Sequence, residues 1–253
     1  MYRRGDLKLL ISSILLMTIV AVYSRQLLGS QVQPRSTSKE QSLTANASCY
    51  DATSGRLVGS RTSRTSELVS PDGAFRAYAQ SEAVASGTPN APECNNTSRL
   101  LVADRDKGEF HAVLTLEPSR NSLGNGIDLV DWSPKGHRLL LVQGSWQYGS
   151  DVGETRVRVY DADSNRLSSE SALDEAFSRY EGKVCAGIFQ PLGFSSNGSA
   201  VVRAVPTFDY GEDKAAVDSC VQKQGFWLVD FAIGKVRQIA DSYKPRQYGT
   251  VRP

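Results

Sequence analysis

Three times along the chain a serine opens a four-residue turn that closes on glycine and releases an apolar strand. The copies are Ser70-Pro71-Asp72-Gly73 before Phe75-Arg76-Ala77-Tyr78-Ala79, Ser133-Pro134-Lys135-Gly136 before Arg138-Leu139-Leu140-Leu141-Val142, and Ser195-Ser196-Asn197-Gly198 before Ala200-Val201-Val202-Arg203-Ala204. Their glycines stand 63 and 62 residues apart. A near-constant period of that length signals a repeat architecture, in which each repeat is one supersecondary unit.

A second element recurs inside every unit. An alternating strand ends in aspartate, and four residues later comes glycine or asparagine: Asp104 to Gly108, Asp161 to Asn165, Asp230 to Gly234. An isolated fourth copy, Asp51 to Gly55, precedes the first turn. Aspartate can accept bonds from its own downstream backbone, while glycine or asparagine tolerates positive φ, so each reads as a hairpin. The expected fold is all-β: a propeller-like array of antiparallel four-stranded repeats, three complete and one partial.

The Ser-Pro-Asp-Gly turn at Ser70–Gly73 and its Ser-Pro-Lys-Gly counterpart at Ser133–Gly136, together with the strand-Asp-x-x-x-Gly hairpin, resemble the TolB-like (WD-repeat-like) β-propeller repeats of bacterial envelope proteins. The third copy departs from that pattern, with Ser196-Asn197 in place of Pro-Asp, and the resemblance covers roughly residues 49 to 240. It implies a propeller-like architecture and does not by itself imply an activity. Propellers close with four to eight blades, which leaves three arrangements open here. The tail Tyr243–Arg252 supplies strands to the incomplete first blade, the sheets form an open fan, or a second copy of the chain completes the propeller. Pro245 argues against a central strand in that tail.

The first thirty residues differ from the rest. Arg3, Arg4 and Lys8 precede the uncharged run Leu9–Tyr23, the composition of a signal peptide or signal anchor. A retained anchor, an N-terminal hydrophobic helix meeting the membrane through residues 9–24, is favoured over cleavage after Ser24. The basic flank places the rest of the chain outside the cytoplasm. Residues 31–47, rich in Ser, Thr, Gln and Pro, read as a flexible linker, and 48–253 as the β-repeat domain.

Cysteines 49, 94, 185 and 220 are far apart and contain no CxxC pair. In an oxidising compartment an even count points to disulfides, and the sequence-local choice among three connectivities pairs Cys49 with Cys94 and Cys185 with Cys220. Asn46, Asn95, Asn96 and Asn197 match the glycosylation acceptor pattern. One short helix is expected between Ser171 and Gly182, with Leu173, Ala176, Phe177 and Tyr180 on one face and Ser171 paired with Asp174 as its cap.

With 29 basic and 27 acidic residues interleaved, no basic stripe marks a nucleic-acid footprint. Gly193-Phe194-Ser195-Ser196-Asn197 lacks the second glycine of a nucleophile elbow, and His111 and His137 read as edge or surface residues. No catalytic residue, cofactor or metal is assigned. The binding candidates lie in three insertions, residues 81–99, 144–155 and 206–224, each joining the second and third strands of its unit. They carry the aromatics Trp146, Tyr148, Phe208 and Tyr210 and the acids Asp209, Glu212 and Asp213. Together these features read as a membrane-tethered extracytoplasmic module binding a protein or envelope component through those loops. The alternative is a hydrolase or lyase acting on a sugar or lactone, with loop carboxylates as acid and base.

Overall fold

The computed structural model describes residues 42–88, 91–104, 108–118, 123–148, 153–181, 187–206 and 225–253. The expected anchor at residues 9–24, Cys185, Cys220, and the candidates Phe208, Asp209, Tyr210, Glu212 and Asp213 lie outside them. No described helix is long and apolar enough to cross a membrane.

Each repeat of the sequence becomes one antiparallel sheet. In sheet I the meander is β3 (Glu67–Val69), β4 (Phe75–Thr88), β5 (Ala91–Asp104) and β6 (Phe110–Leu116), with β2 (Arg61–Arg64) also on β4. Sheet II runs β7 (Leu123–Trp132), β8 (Arg138–Gln147), β9 (Gly153–Asp161) and β10 (Arg166–Leu167), and β1 (Thr44–Asn46) adds to the free edge of β7. In sheet III the strands are β11 (Gly187–Phe194), β12 (Ala200–Pro206), β13 (Gly225–Asp230) and β14 (Lys235–Ile239). The isolated fourth hairpin makes only the bridge Tyr50–Leu57 and founds no sheet.

The core follows the alternation of side chains along the strands. Sheet II is the middle layer. On one face Leu139, Leu141, Ile127 and Trp132 meet Leu68, Ala77, Leu100 and Val102 of sheet I. On the other, Leu140, Val157 and Val159 meet Ala200, Val202, Trp227 and Val229 of sheet III. The helix α1 (Ala172–Glu181) joins this second cluster through Leu173 and Ala176. Its cap differs from the expectation: the Ser171 hydroxyl donates to Glu175, while Asp174 pairs with Arg156 at 3.1 Å.

The three serine turns share one chemistry. In each, the glycine N–H donates to the serine carbonyl, and the serine Oγ accepts a later backbone N–H, from Phe75, Arg138 or Ser199. Gly136 has φ near 80°, and a Cβ there would stand 2.6 Å from the Asp72 carboxylate. Position 136 therefore needs glycine both for its backbone and because the first turn leans on the second. Arg138 in turn donates to the Gly198 carbonyl at 2.6 Å, tying the second turn to the third.

Three residues before the serine of the second and third turns, at Val130 and Leu192, β7 and β11 each carry a bulge. An extra residue re-aims its successor, and in β7 that successor is Asp131. Its buried carboxylate accepts the backbone N–H groups of Trp132, Tyr248 and Gly249. The tail thus crosses all three sheets. Arg246 bridges Phe194 of sheet III, Tyr248 and Gly249 meet Asp131 of sheet II, and β15 (Thr250–Arg252) pairs with β3 of sheet I. Of the three arrangements left open, the one in which this tail completes the partial first blade is not formed: the tail adds a strand to the first complete sheet, beginning five residues after Pro245. The proline stays outside the ladder, as its missing N–H requires.

The insertion expected at 81–99 is regular sheet. β4 and β5 continue in unbroken register from Phe75–Asp104 to Thr88–Ala91. Its polar residues are buried because they satisfy one another. Asn96 donates to the Ala47 carbonyl and to Ser81, the Ser98 hydroxyl donates to the Asn125 carbonyl and lies 2.9 Å from that of Ser81, and Asn125 N–H donates to Asn96. Asn96, fully buried in this network, is thereby removed as a glycosylation acceptor in the folded protein. Beside it lies the Cys49–Cys94 disulfide, the pairing expected from the sequence. It fastens the segment carrying β1 to β5 across 45 residues. Replacing both cysteines with serine is expected to cost about 2–4 kcal/mol of stability by chain-entropy reasoning. Denaturant midpoints of the double variant and of the oxidised parent measure it, and equal midpoints would refute a stapling role.

Candidate functional site

Of the aromatic candidates, Trp146 and Tyr148 are described, and their rings meet edge to face with centroids 6.5 Å apart. Tyr148 packs on Tyr50 (5.2 Å between ring centroids) beside Cys49, Cys94 and Ala83, and burial pushes its phenol pKa up. It belongs to a small core around the disulfide. Trp146 lies within β8 rather than in a loop, on the face of sheet II that further along buries Val157.

What surrounds Trp146 is unusual for a sheet. Its cross-strand neighbours are Gly124 on β7 and Gly153 on β9, and in the next row Gly126 faces Gly144. The indole occupies the side-chain space of Gly124, where a Cβ would lie 2.2 Å from Nε1. It also reaches over Gly126, whose Cβ would meet Cη2 at 3.3 Å. Over Gly144 the space is open: nothing approaches closer than 3.8 Å. The missing side chains leave a groove of about 350 Å³, lined by Asn46, Asp128, Val142, Trp146 and Thr155 around Gly126, Gly144 and Gly153. Glycine inside a strand forfeits packing and marks a place where another backbone or a ligand comes close. Gly124 and Gly126 make room for the indole itself, and Gly144 is the position left open.

Strand alternation puts Asn46, Gly126, Gly144 and Thr155 in one row, and Thr44, Asp128, Val142 and Val157 in the next. Asp128 is the carboxylate of that face, because Glu154 is engaged by Arg156 at 3.0 Å. Burial raises the Asp128 pKa above its usual 3.8, opposed by the Thr44 hydroxyl. Folding therefore penalises its ionised form, fully above the folded-state pKa and not at all below 3.8. Asp128→Asn should raise the melting temperature at neutral pH, with the gain shrinking as pH falls into the carboxylate range. Thermal melts across pH check this, and a pH-independent difference would contradict it.

A second concavity, about 490 Å³, lies at the turn end between the second and third turns. Its polar groups are already committed. His137 Nδ1 and Asp163 Oδ1 are 2.7 Å apart, Arg138 donates to Gly198, and Asp161 holds Ser164. Burial would raise the Asp161 pKa, but the Ser164 bonds and nearby Arg138 and His137 hold it below the usual value. These bonds set turn geometry. Among the described residues no group of three His, Cys, Asp or Glu side chains could hold a metal ion.

The sequence signal for the groove was Gly124-Asn125-Gly126, Gly144 and Gly153, glycines inside strands that flank a tryptophan. Reading it required the strand register, which only the structure supplies.

No protein-family model matches the chain, and no curated protein matches it. Among solved structures it is similar to an oligogalacturonate lyase in complex with manganese, at 11% identity and a TM-score of 0.21. The alignment covers 77% of this chain and 56% of that one, so the chain spans little more than half the length of this neighbour. Overlap that low carries no argument about the site.

Proposed function

We propose that this chain is a membrane-tethered extracytoplasmic module, propeller-like in its repeats, that binds a protein or cell-envelope component. The observation that carries the reading is the groove beside Trp146. It is a concavity with one aromatic wall and a few convergent polar groups, the usual make-up of a binding site. Gly144, open above its backbone, forfeits packing in the sheet. The Cys49–Cys94 disulfide supports an oxidising compartment outside the cytoplasm, and the basic, then apolar, first residues support a membrane tether. The repeat pattern of turn, hairpin and four-stranded sheet supports kinship with propeller-like envelope proteins.

The hydrolase or lyase alternative rests on Asp209, Glu212 and Asp213, for which the described residues supply no geometry. The groove beside Trp146 is what favours binding. A photo-crosslinking amino acid in place of Thr44, exposed on β1 in the same row and on the same face as Asp128, tests it in intact cells. Adducts should form there and not from position 233, an exposed site in the β13–β14 hairpin. Equal labelling at both positions, or none at either, would overturn the reading.

A further inference from the structure

The geometry points to a neutral oligosaccharide as the ligand of the glycine-floored groove, with Trp146 as the apolar wall and Asn46, Asp128 and Thr155 bonding sugar hydroxyls. This rests on the binding reading above and names its ligand class. The floor is bare backbone at Gly144, where nothing comes closer than 3.8 Å to an added Cβ, so a flat ring can approach there closer than a side-chain-covered sheet would permit. Trp146 is partly exposed, whereas Trp132 and Trp227 are fully buried. Among the tryptophans it therefore presents apolar surface at a concavity, suited to the C–H face of a pyranose.

The polar groups narrow the class further. Asparagine and threonine each offer a donor and an acceptor, and the Asp128 carboxylate offers acceptors. Hydroxyl groups, which both donate and accept, satisfy that set completely. An ammonium or guanidinium group can only donate, leaving the Asn46 amide and Thr155 hydroxyl protons unmatched. An anionic ligand would be placed against Asp128, and no cation on that face compensates among the described residues, because Arg156 is held by Glu154 and Asp174. A neutral polyhydroxylated chain is the class these constraints leave.

Gly144 provides the test. It has ordinary backbone geometry, and an added Cβ meets its nearest atom, Cζ3 of Trp146, at 3.8 Å. Gly144→Val should therefore fold while filling the groove. Maltotetraose, cellotetraose and chitotetraose are titrated into the full chain up to about 10 mM, read by calorimetry and tryptophan fluorescence. At least one should bind saturably and shift the emission, and Gly144→Val should weaken it by about tenfold or more with an unchanged thermal melt. Should Gly144→Val melt early, Gly144→Ala and Asp128→Ala must each weaken the same sugar. Absence of saturable binding by all three sugars overturns the proposal, as does undiminished binding by these variants or displacement by a lysine-rich peptide. If the sugars fail while crosslinks from position 44 persist and vanish in Gly144→Val, the saccharide falls and the binding module stands. If those crosslinks are absent too, both fall.

Discussion

Asp131→Ala is expected to lower the unfolding free energy by about 3 kcal/mol or more, through a residue that reaches no ligand. The carboxylate receives three backbone N–H groups, two of them from the tail. Burial pushes its pKa up against those bonds, so ionised Asp131 is held only as long as the donors stay in place. Truncation to alanine leaves buried donors without an acceptor, at about 1–3 kcal/mol each, moderated where the tail can peel into water. Deleting residues 245–253 should cost a similar amount. Combined with Asp131→Ala it should add little, since both changes break one connection. Urea midpoints of the two single variants and the double variant measure this. Additive losses would mean that the tail is not held through Asp131.

The next residue carries the second large effect. Trp132 is fully buried between sheets I and II, stacks on Phe75 at 5.9 Å and donates from Nε1 to the Leu68 carbonyl at 2.9 Å. Trp132→Ala should cost about 3–5 kcal/mol, the range for deleting a large aromatic from a core. Trp132→Phe keeps most of the buried area and loses the hydrogen bond, so about 1 kcal/mol is expected. If phenylalanine costs as much as alanine, the bond between sheets matters more than the packing. A wild-type melt for Trp132→Ala would remove sheet II from its central position in the core.

These two residues mark the limit of what the chain reveals before folding. The turn after them was legible because serine, glycine and the intervening residues act within four positions, and the same local chemistry made the Asp-to-Gly hairpins and the period of the sheets readable. The helix face at Leu173, Ala176 and Phe177 was legible for the same reason. Asp131 was not: its partners are 117 and 118 residues away and are backbone N–H groups, which leave no mark in side-chain patterning. Pro245 argues against a central strand in the tail, and the strand that forms beyond it, β15, lies at the edge of its sheet. The stretch 81–99 looked like a polar loop because Ser81, Asn96 and Ser98 suit solvent individually. Only their mutual bonding with Asn125 makes them interior. At the candidate site, Trp146 stood out by residue type. Its glycine neighbours did not, because they come from three strands aligned by register.

The fold and the groove are linked through sheet II. The strand β7 that carries Asp131 at its inner end carries Gly124, Gly126 and Asp128 further out, and β8 carries Gly144 and Trp146 beside them. A core clamped by the tail at one end of β7 allows the other end to give up side chains for a ligand.

Hydrogen–deuterium exchange of the full chain, in its native membranes and after purification in detergent, tests the binding groove most directly. On the proposed reading, exchange over residues 142–147 and 153–157 is slower in the membranes, where a bound ligand would be retained. The β13–β14 hairpin should exchange alike in both, and Gly144→Val should erase the difference. Identical exchange across β8 and β9 in the two preparations would contradict a groove that binds.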